Sequence, residues 1–499
     1  MSKVIHNNIF FNLNQPKIFH LVEYQISNDD PVRKLSEMLE AMDFGKLMQV
    51  FSHKTKIHPV RMFAVILYAY SRGIYSTRDI DIACHENIKF RFLLQNSKIP
   101  DHSTISRFLT KIENLLPELF EQFFKIIFNL ENISTDTIYI DGTKIEAYAN
   151  KYTFVWRGSV EKYSLRLDEK IKTLISDFNN DFNADYESFL EICAYLSNLN
   201  IKFVKGRGHK KSKEQKYFEK CMEYLEKYQR YSNHFINLRG RNSYSKTDID
   251  ATFMRMKDDY MKNGQLKPGY NLQIGVISEY ICAYDIFPNP SDSKTLIPFL
   301  DKISTLNLNI KNIVADAGYE SISNYEYLEK MGYNSYIKPI YFEKSKTKKF
   351  KNDLKKFKND LNRIENLIYN FKRNKLFRKD GLELDFLYSN KKGTVHYFFN
   401  SETKKKIKYN AKFRMLSDKS KENISSDYGK QLRLNRSIQV EGVFAVLKED
   451  MKLRKLKVRG KPSVLREIGL FCIGYNFNRY ISRSLRNCKG TTLHPLQAA

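Results

Sequence analysis

The sequence is poor in cysteine, in tryptophan and in long apolar runs. Its 499 residues include six cysteines without a CxxC pair or regular spacing, which argues against a disulfide framework and favours reduced thiols in the cytoplasm. Apolar stretches such as FAVILYAY and GLFCIGY are too short to cross a bilayer, and the first twenty residues lack the layout of a signal peptide. We therefore expect a cytoplasmic protein with no membrane partner.

Acidic residues are also scarce. The chain has 56 Asp and Glu against 84 Lys and Arg, which gives a formal net charge of +28. Such an excess attracts nucleic acid, although a generally basic, soluble surface would have the same composition. Basic residues concentrate in 344–379 and 448–461, and this clustering favours the nucleic-acid partner. With 42% hydrophobic residues, the chain can form roughly two to four globular domains.

The hydrophobic periodicity changes several times along the chain. Apolar residues recur every three or four positions between about residues 30 and 130, and TDTIYID then has the composition of a buried strand. The runs YNLQIGVI and YICAYDIF, separated by Ser278 and Glu279, predict a hairpin, after which helices and strands alternate. This order predicts a multidomain α and α/β protein with a ribonuclease H-like mixed sheet.

The expected domains follow these changes of period. An all-helical N-terminal DNA-binding domain precedes a catalytic core that is interrupted by a helical insertion and by a basic insertion with a β-ribbon. In chain order, we expect the N-terminal domain at 1–130, the first strand region of the core at 131–157, the helical insertion at 158–250, the continued core at 251–340, the basic insertion at 341–432 and the C-terminal core helices at 433–499.

Within the N-terminal domain, IPDHSTISRFLTKI is typical of a helix-turn-helix. Asp101 or Ser103 could cap the second helix, with Ser106 and Arg107 facing outward. Arg107 is therefore a candidate DNA contact. A small helical core with an incidental surface arginine is an equal alternative, because such helix pairs are common in proteins that do not bind DNA.

Three carboxylates in different local settings are the main candidates for chemistry. Asp141 and Asp316 each follow a short apolar run and precede a glycine, so we expect both at strand ends on one edge of the sheet. Glu441 lies in an amphipathic run that predicts a helix. Two aspartates and one glutamate can hold two divalent cations for phosphoryl transfer. We expect the glycines, Gly142 and Gly318, to leave room for a phosphate backbone.

Helical geometry adds a second residue beside Glu441. Residues seven apart lie on nearly the same face of an α-helix, so Lys448 should align with Glu441 and contact phosphate. Taken alone, each carboxylate has a simpler interpretation: the aspartates could cap turns, and the glutamate could be an ordinary exposed residue.

The sequence resembles the DDE transposases of bacterial insertion sequences, members of the superfamily that includes retroviral integrases. The resemblance covers roughly residues 30–485 and depends on YIDGTKIEAYANKYTFVWRGS, TDIDATFMRMKDDYMKNGQLKPGYNLQIGV, ADAGYES and VEGVFAVLKEDMKLRKLKVRGKPSV. It implies a catalytic and metal-binding triad of Asp141, Asp316 and Glu441 with Mg²⁺ or Mn²⁺, two ions in all. It also implies double-stranded DNA as partner, a homodimer or larger assembly, and a place with the bacterial nucleoid.

The chain departs from the family pattern beside the glutamate. An arginine is expected four residues before Glu441, where this sequence has Ser437; Arg436 is adjacent, and a continuous helix would turn it away from the glutamate. We nevertheless take Arg436 as a DNA-contact candidate. The other basic candidates near the glutamate are Lys448, Lys455, Lys457 and Arg459.

A second departure is the absence of cysteines between residues 381 and 432, where many relatives have a zinc site, so we expect no zinc. Asp248 and Asp250 have two interpretations: they cap a turn, or they approach the metal site. Trp156 either packs the helical insertion on the core or stacks on a displaced base.

Two further functions fit the same sequence. A ribonuclease H-like endonuclease would share the triad and the metals but would not transfer strands. A non-catalytic DNA-binding protein derived from a transposase would retain the fold without the activity. Short inverted repeats flanking the reading frame would favour the transposase.

Overall fold

The structure is a computed structural model that describes residues 26–51, 56–95, 97–206, 209–256, 264–340, 342, 367–370, 373, 375–391 and 393–496. The first part of the expected basic insertion, with most of the basic cluster at 344–379, lies outside the described residues. Among the described helices, none is both long and apolar enough to cross a membrane.

The N-terminal region is helical, as predicted. Its central helix is apolar on nearly all sides and is almost completely buried, which is the expected position for a helix without a polar face. The helices are α1 (Pro31–Glu40), α2 (Gly45–Val50), α3 (Pro59–Ser71, the central one), α4 (Thr77–Glu86), α5 (Ile88–Leu94), α6 (His102–Lys111) and α7 (Leu116–Glu131).

A six-stranded mixed sheet follows the helices. Its order is β4-β5-β1-β7-β8, and β6 also pairs with β5. β5 runs antiparallel to its neighbours, while β1, β7 and β8 are parallel. The first eight strands of the chain are β1 (Thr137–Glu146), β2 (Phe154–Trp156), β3 (Ser243–Ser245), β4 (Thr252–Arg255), β5 (Leu266–Ile277), β6 (Tyr280–Phe287), β7 (Asn312–Ala315) and β8 (Asn334–Ile337).

The predicted hairpin is confirmed. β5 and β6 are joined by Ser278 and Glu279, whose φ angles are 50° and 70°. Two consecutive positive φ angles are the requirement of a type I′ turn, which matches the twist of the paired strands. Shorter elements complete the sheet connections: a 3-10 turn (Asp292–Lys294), α11 (Leu296–Ser304), a 3-10 turn (Ala317–Tyr319) and α12 (Ile322–Lys330).

The helices between β2 and β3 have an apolar core of their own. They are α8 (Arg157–Phe182), α9 (Phe189–Asn198) and α10 (Lys213–Leu238), and they pack around a cluster that includes Leu174, Phe178 and Cys221. β2 and β3 pair with each other, with Phe154 opposite Ser245. The chain therefore leaves for the helical segment and returns from it through one two-stranded ribbon.

The β-ribbon predicted within the basic insertion is present. It is a five-stranded antiparallel sheet of order β13-β12-β11-β10-β9. The strands are β9 (Leu367–Asn370), β10 (Lys375–Arg378), β11 (Glu383–Ser389), β12 (His396–Asn400) and β13 (Lys405–Tyr409).

The C-terminal block is helical but irregular. Two π-helical turns, Ser437–Glu441 and Val446–Asp450, interrupt it. Its helices are α13 (Ala411–Ser425), α14 (Asp427–Arg436), α15 (Gly442–Ala445) and α16 (Lys461–Leu485). The last helix packs against α3, α7 and β6, and so joins the N-terminal helices to the sheet.

Candidate active site

Strand pairing brings the two aspartates of the expected triad together. β1 and β7 are parallel neighbours with Ile140 opposite Ala315, so the next residue on each strand is Asp141 or Asp316. The expectation that both end their strands is wrong for Asp141. β1 continues to Glu146 because β5 still pairs with it there, with Asp141 opposite Ile274.

The two carboxylates have different partners. Asp141 is only 13% exposed at its side chain; its Oδ1 accepts from the backbone N–H of Gly142 (2.8 Å), and its Oδ2 is 3.1 Å from Nη1 of Arg436. Asp316 is half-buried and accepts from the backbone N–H of Gly318. This bond caps the 3-10 turn that begins directly after β7.

Arg436 faces Glu441 because the chain between them is not a continuous α-helix. In an α-helix, residues five apart point about 140° away from each other. The π-helical turn Ser437–Glu441 instead has the wider i to i+5 pattern, which aligns residues five apart. Nη2 of Arg436 lies 3.5 Å from Oε1 of Glu441. The expectation that Arg436 turns away from the glutamate is therefore wrong.

One guanidinium thus connects two members of the expected triad. Arg436 contacts Asp141 through one nitrogen and Glu441 through the other. The Arg436 side chain is 17% exposed, whereas that of Glu441 is 61% exposed. A planar group with two donor nitrogens suits such a bridge, which one lysine ammonium could not form in the same way. The bridge neutralises one of the two negative charges in a half-buried place.

Lys448 lies in the second π-helical turn and is half-buried. An apolar stripe lies beside Glu441, formed by the buried side chains of Val440, Leu447 and Met451. This stripe presses the helix against the rest of the core and leaves Glu441 on its exposed side.

The space beside Gly142 is already filled by protein, whereas Gly318 is exposed. A Cβ atom on Gly142 would lie 2.1 Å from Nε2 of Gln273 and 2.8 Å from Oδ1 of Asp292. A Cβ on Gly318 would lie 3.4 Å from Oδ2 of Asp292. The expectation that these glycines leave room for a phosphate backbone is therefore wrong for Gly142. Its missing side chain makes room for a buried amide and a fourth acidic residue.

These side chains form a hydrogen-bonded group under the site. Oδ1 of Asp292 accepts from Nδ2 of Asn271 (2.8 Å) and from Nε2 of Gln273 (3.0 Å). The hydroxyl of Tyr319 donates to Oε1 of Gln273, which is fully buried. Nε2 of Gln273 also donates to Oδ1 of Asn271 (3.0 Å). Every polar atom of the Gln273 amide therefore has a fixed partner, and the amide cannot turn without breaking a buried bond.

Charge concentrates around this group. Burial raises the pKa of Tyr319 well above its ordinary value, and three nearby carboxylates raise it further, those of Asp141, Asp292 and Asp316. The Arg436 cation opposes this effect. Tyr319 is therefore a neutral hydrogen-bond donor beneath the acidic residues.

Two protein-family models match the chain. A family described as Transposase DDE domain matches residues 241–477, which include Asp316, Arg436 and Glu441, and one described as Transposase domain (DUF772) matches residues 20–111. The chain belongs to the DDE transposases. The larger match begins after β1 and therefore does not include Asp141. The pairing of β1 with β7 is what places Asp141 beside Asp316. Searches of curated proteins and of solved structures give no match.

Transposases of this family act on DNA and generally use divalent metal ions. The chemistry of the donors in this transposase fits a hard cation, because Asp141, Asp316 and Glu441 all present carboxylate oxygens. Across the described residues, however, no three acidic, histidine or cysteine side chains are arranged as a ready metal site. Arg436 lies between Asp141 and Glu441, so a cation held by both would take the position that the guanidinium has here.

Asp248 and Asp250 serve the start of α16 in the transposase. Asp248 is 4% exposed, accepts from the hydroxyl of Tyr270 (2.8 Å to Oδ2) and from the backbone N–H of Gly460 (3.3 Å). Asp250 accepts from the backbone N–H of Lys461 (2.9 Å). The two aspartates therefore accept from backbone N–H groups at the start of α16, more than 200 residues later in the chain. This is the capping interpretation rather than an approach to the metal site.

The remaining aromatic candidate, Trp156, is half-buried on β2. Its ring lies 5.8 Å from that of Phe154 and 6.0 Å from that of Phe253 on β4. The ring therefore has a packing role, but it packs the two-stranded ribbon, rather than the helical insertion itself, against β4 at the edge of the mixed sheet.

The basic candidates after Glu441 lie on an exposed segment beside the end of β1. The side chains of Lys455, Lys457 and Arg459 are all exposed. The buried side chains of Leu453 and Leu456 hold the segment against the core. The backbone N–H of Leu456 donates to the carbonyl of Glu146 (2.9 Å). The basic segment therefore lies beside the carboxyl end of β1, a few residues beyond Asp141.

Contacts within the protein orient these cations. Nζ of Lys455 is 3.1 Å from Oε1 of Glu146, and Nε of Arg459 donates to the carbonyl of Tyr148 at 2.8 Å. Nζ of Lys457 lies 5.1 Å from the centre of the Tyr75 ring. The pair between Lys455 and Glu146 is half-exposed, so the ammonium can exchange this partner for a phosphate at small cost.

The expected helix-turn-helix residues have the predicted positions. Oδ1 of Asp101 accepts from the backbone N–H of Thr104 (2.7 Å) and caps α6. Ser106 and Arg107 are exposed on this helix, while its apolar residues face inward. Arg107 lines an open cleft of ≈ 500 Å³ with residues of α4. The site around Asp141 does not include it.

Sequence reasoning missed Asn271, Gln273 and Asp292. A signal for the first two was present: β5 is otherwise apolar, and two amides two residues apart lie on one face of a strand. Asp292 gave no such signal, because an aspartate at the start of a helix is usually a cap.

Proposed function

We propose that the chain is a transposase that binds the inverted-repeat ends of an insertion sequence and catalyses metal-dependent strand cleavage and strand transfer. The observation that carries the proposal is the meeting of Asp141 and Asp316 on paired strands with Arg436 and Glu441 on a helix beside them. The order of the mixed sheet supports the ribonuclease H-like assignment. The family supports the chemistry.

In this proposal, Asp141, Asp316 and Glu441 hold Mg²⁺ or Mn²⁺, two ions in all. Such ions stabilise the attacking and leaving oxygens of an in-line displacement at phosphorus. The pairing of β1 with β7 fixes the two aspartates relative to each other, since adjacent strands are about 4.8 Å apart. Glu441 is the exposed member of the three and the one whose position depends on a helix rather than on the sheet.

Arg436 has a second task once DNA is present. Its guanidinium can leave the carboxylates and bind a phosphate oxygen next to the scissile bond, because guanidinium groups bind carboxylates and phosphates in the same bidentate manner. Lys448 adds a cation on the same helix. The first step frees a 3′-hydroxyl, and the second joins it to target DNA; both are phosphoryl transfers that need no covalent protein intermediate.

DNA contacts outside the site are assigned to two surfaces. The exposed segment with Lys455, Lys457 and Arg459 continues the site along the sheet, and α6 with Arg107 presents a second basic surface. We assign a homodimer or larger assembly on double-stranded DNA, because two element ends have to be held together for strand transfer.

The decisive test compares wild type with Asp141→Asn on duplex DNA that carries the element ends, in Mg²⁺ and in Mn²⁺. Because the substitution keeps the shape of the side chain and removes its charge, we expect a loss of cleavage rate of at least about 10²-fold. Asp301→Asn, at an exposed position of α11, removes the same charge away from the site and is the control. Equal nicking by all three proteins would contradict the assignment.

Product analysis separates the transposase from an endonuclease. A second, unlabelled duplex is added as target, and the products are resolved by length. Joined products that contain both DNAs are expected from strand transfer. Cleaved ends without joined products, at full cleavage rate, would assign the chain to endonuclease activity instead.

A further inference from the structure

The π-helical turn that carries Glu441 is held by a buried amide. Gln439 is 2% exposed. Its Oε1 accepts from the backbone N–H of Glu279 (3.0 Å) in the hairpin turn between β5 and β6. Its Nε2 donates to the backbone carbonyl of Thr492 (3.0 Å). The turn is thereby bonded to the sheet on one side and to a C-terminal segment on the other.

A second buried amide lies four residues earlier, at the end of α14. Asn435 is fully buried. Its Nδ2 donates to the carbonyls of Gln431 and His494, both at 2.9 Å, and its Oδ1 accepts from the backbone N–H of His494 (2.8 Å). Asn435 therefore pairs with the backbone of the C-terminal segment as a neighbouring strand would.

We call residues 490–494 the C-terminal strap. The backbone N–H of Thr492 donates to Oγ of Ser278 (3.1 Å), and Nη2 of Arg483 donates to the carbonyl of Gly490 (2.7 Å). The strap is thus fixed to the β5–β6 hairpin and to α16. Through Asn435 and Gln439 it ties the helix before Glu441 to the sheet that carries Asp141.

Such external bonds matter because a π-helical turn is an unfavourable local conformation. Fewer than about 1% of residues in proteins adopt it, and it occurs mostly as single turns within α-helices. If the segment relaxed to a regular α-helix, Arg436 and Glu441 would point about 140° apart. The observed contacts of Arg436 with both Asp141 and Glu441 require the wide turn.

We propose that Asn435 and Gln439 are positioning residues for the phosphoryl transfer. They hold the wide turn in place through the C-terminal strap, so that Arg436 and Glu441 both face Asp141. This inference rests on the function proposed above, in which Glu441 and Arg436 act on the scissile phosphate.

A structural role and a positioning role make different predictions for the folded protein. Loss of buried hydrogen bonds lowers stability in either case. Only a positioning role lowers the rate constant of the protein that remains folded. The matched control is Asn476, which is also fully buried and also bonds backbone, with Oδ1 accepting from the N–H of Ile281 (2.9 Å) and Nδ2 donating to its carbonyl (2.8 Å). Neither bond involves the strap or the π-helical turn.

The experiment compares Gln439→Met, Asn435→Leu and Asn476→Leu in the full chain, at a temperature well below the lowest unfolding midpoint. Thermal unfolding, affinity for element-end DNA and single-turnover cleavage at saturating DNA and Mg²⁺ are measured. We expect all three to lower the midpoint and to leave DNA affinity within about twofold. The first two should slow cleavage at least about tenfold, since a misplacement of 1 Å can cost about 10² in rate.

Gln439→Asn is the milder variant, should Gln439→Met fail to fold. It keeps an uncharged amide but is one methylene shorter, so it cannot reach the N–H of Glu279 and the carbonyl of Thr492 together, and its rate should lie between those of wild type and Asn435→Leu. Cleavage by both Gln439 variants within about twofold of wild type, or equal slowing by Asn476→Leu, would overturn the inference. Glu441→Gln tests the underlying function separately: if that variant cleaves normally, the proposed function fails, whatever the Gln439 variants do.

Discussion

Replacement of Gly142 by alanine tests what this glycine is for. Its φ angle is not in the left-handed region, so the backbone itself accepts alanine, and the only obstacle is space. The new Cβ would lie 2.1 Å from Nε2 of Gln273, where an ordinary contact is about 3.5 Å. The Gln273 amide would have to withdraw by roughly 1.4 Å. It would then lose its bonds to Asp292 and Tyr319.

The cost follows from these contacts. Forcing an additional carbon into a packed interior costs about 1–3 kcal/mol. A buried amide left without its partners costs about 1–3 kcal/mol more. We therefore expect Gly142→Ala to lower the free energy of unfolding by about 2–5 kcal/mol, which for a chain of 499 residues corresponds to a fall in the unfolding midpoint of roughly 2–5 °C. Cleavage should slow as well, because the displaced group lies directly beneath the aspartates.

Thermal unfolding by circular dichroism or calorimetry measures the effect, with Gly158→Ala as the control. A Cβ on Gly158 would have no heavy atom within 4 Å, so that variant should be as stable as wild type or slightly more stable. In the double variant Gly142→Ala with Gln273→Ala, the amide that blocks the new methyl group is absent. The two losses should then be less than additive by about 1 kcal/mol or more.

Two results would refute this reasoning. An unchanged midpoint for Gly142→Ala would mean that the site tolerates the extra atom. An unchanged midpoint together with weaker DNA binding would restore the interpretation that the glycine makes room for a phosphate backbone. Full additivity in the double variant would mean that the stability loss does not come from contact with Gln273.

Three further predictions concern single residues. Arg436→Lys keeps the charge but not the two-nitrogen contact with Asp141 and Glu441, so we expect strand cleavage, measured on element-end DNA, to slow by about 10². Burial raises the pKa of Asp248 in the folded protein, so its contribution to stability is full below its unfolded pKa and declines as the pH rises through its folded pKa. The unfolding midpoint of Asp248→Asn, measured relative to that of wild type, should therefore increase as the pH rises. Arg107→Ala should weaken DNA binding and make it less salt-dependent without changing the unfolding midpoint, and an unchanged salt slope would remove α6 from the DNA-binding surface.

Local sequence rules predicted the elements whose stability is local. The hairpin at Ser278 and Glu279 follows from two apolar alternating runs with a two-residue gap. The cap at Asp101 follows from a short acceptor before an amphipathic helix. The position of Asp316 follows from the end of an apolar strand. Each of these depends on a few neighbouring residues, which is the range at which periodicity and propensity are informative.

The same rules failed where distant parts of the chain decide the conformation. β1 continues past Asp141 because β5, more than a hundred residues later, pairs with it. The π-helical turn breaks the period of 3.6 residues on which the expectation for Arg436 depended. Asp292 and Gln273 meet only after β5 and the 3-10 turn have folded onto the sheet. No local pattern of residues encodes these contacts.

The pairing of β2 with β3 has a consequence for how this enzyme can diversify. Because the chain enters and leaves α8 to α10 through adjacent strands, the two ends of that segment are a strand spacing apart whatever its length. The segment has its own apolar cluster, so the apolar residues of the mixed sheet are buried without it. Evolution, or an engineer, can therefore exchange this segment for one of different size while Asp141 and Asp316 stay where β1 and β7 hold them.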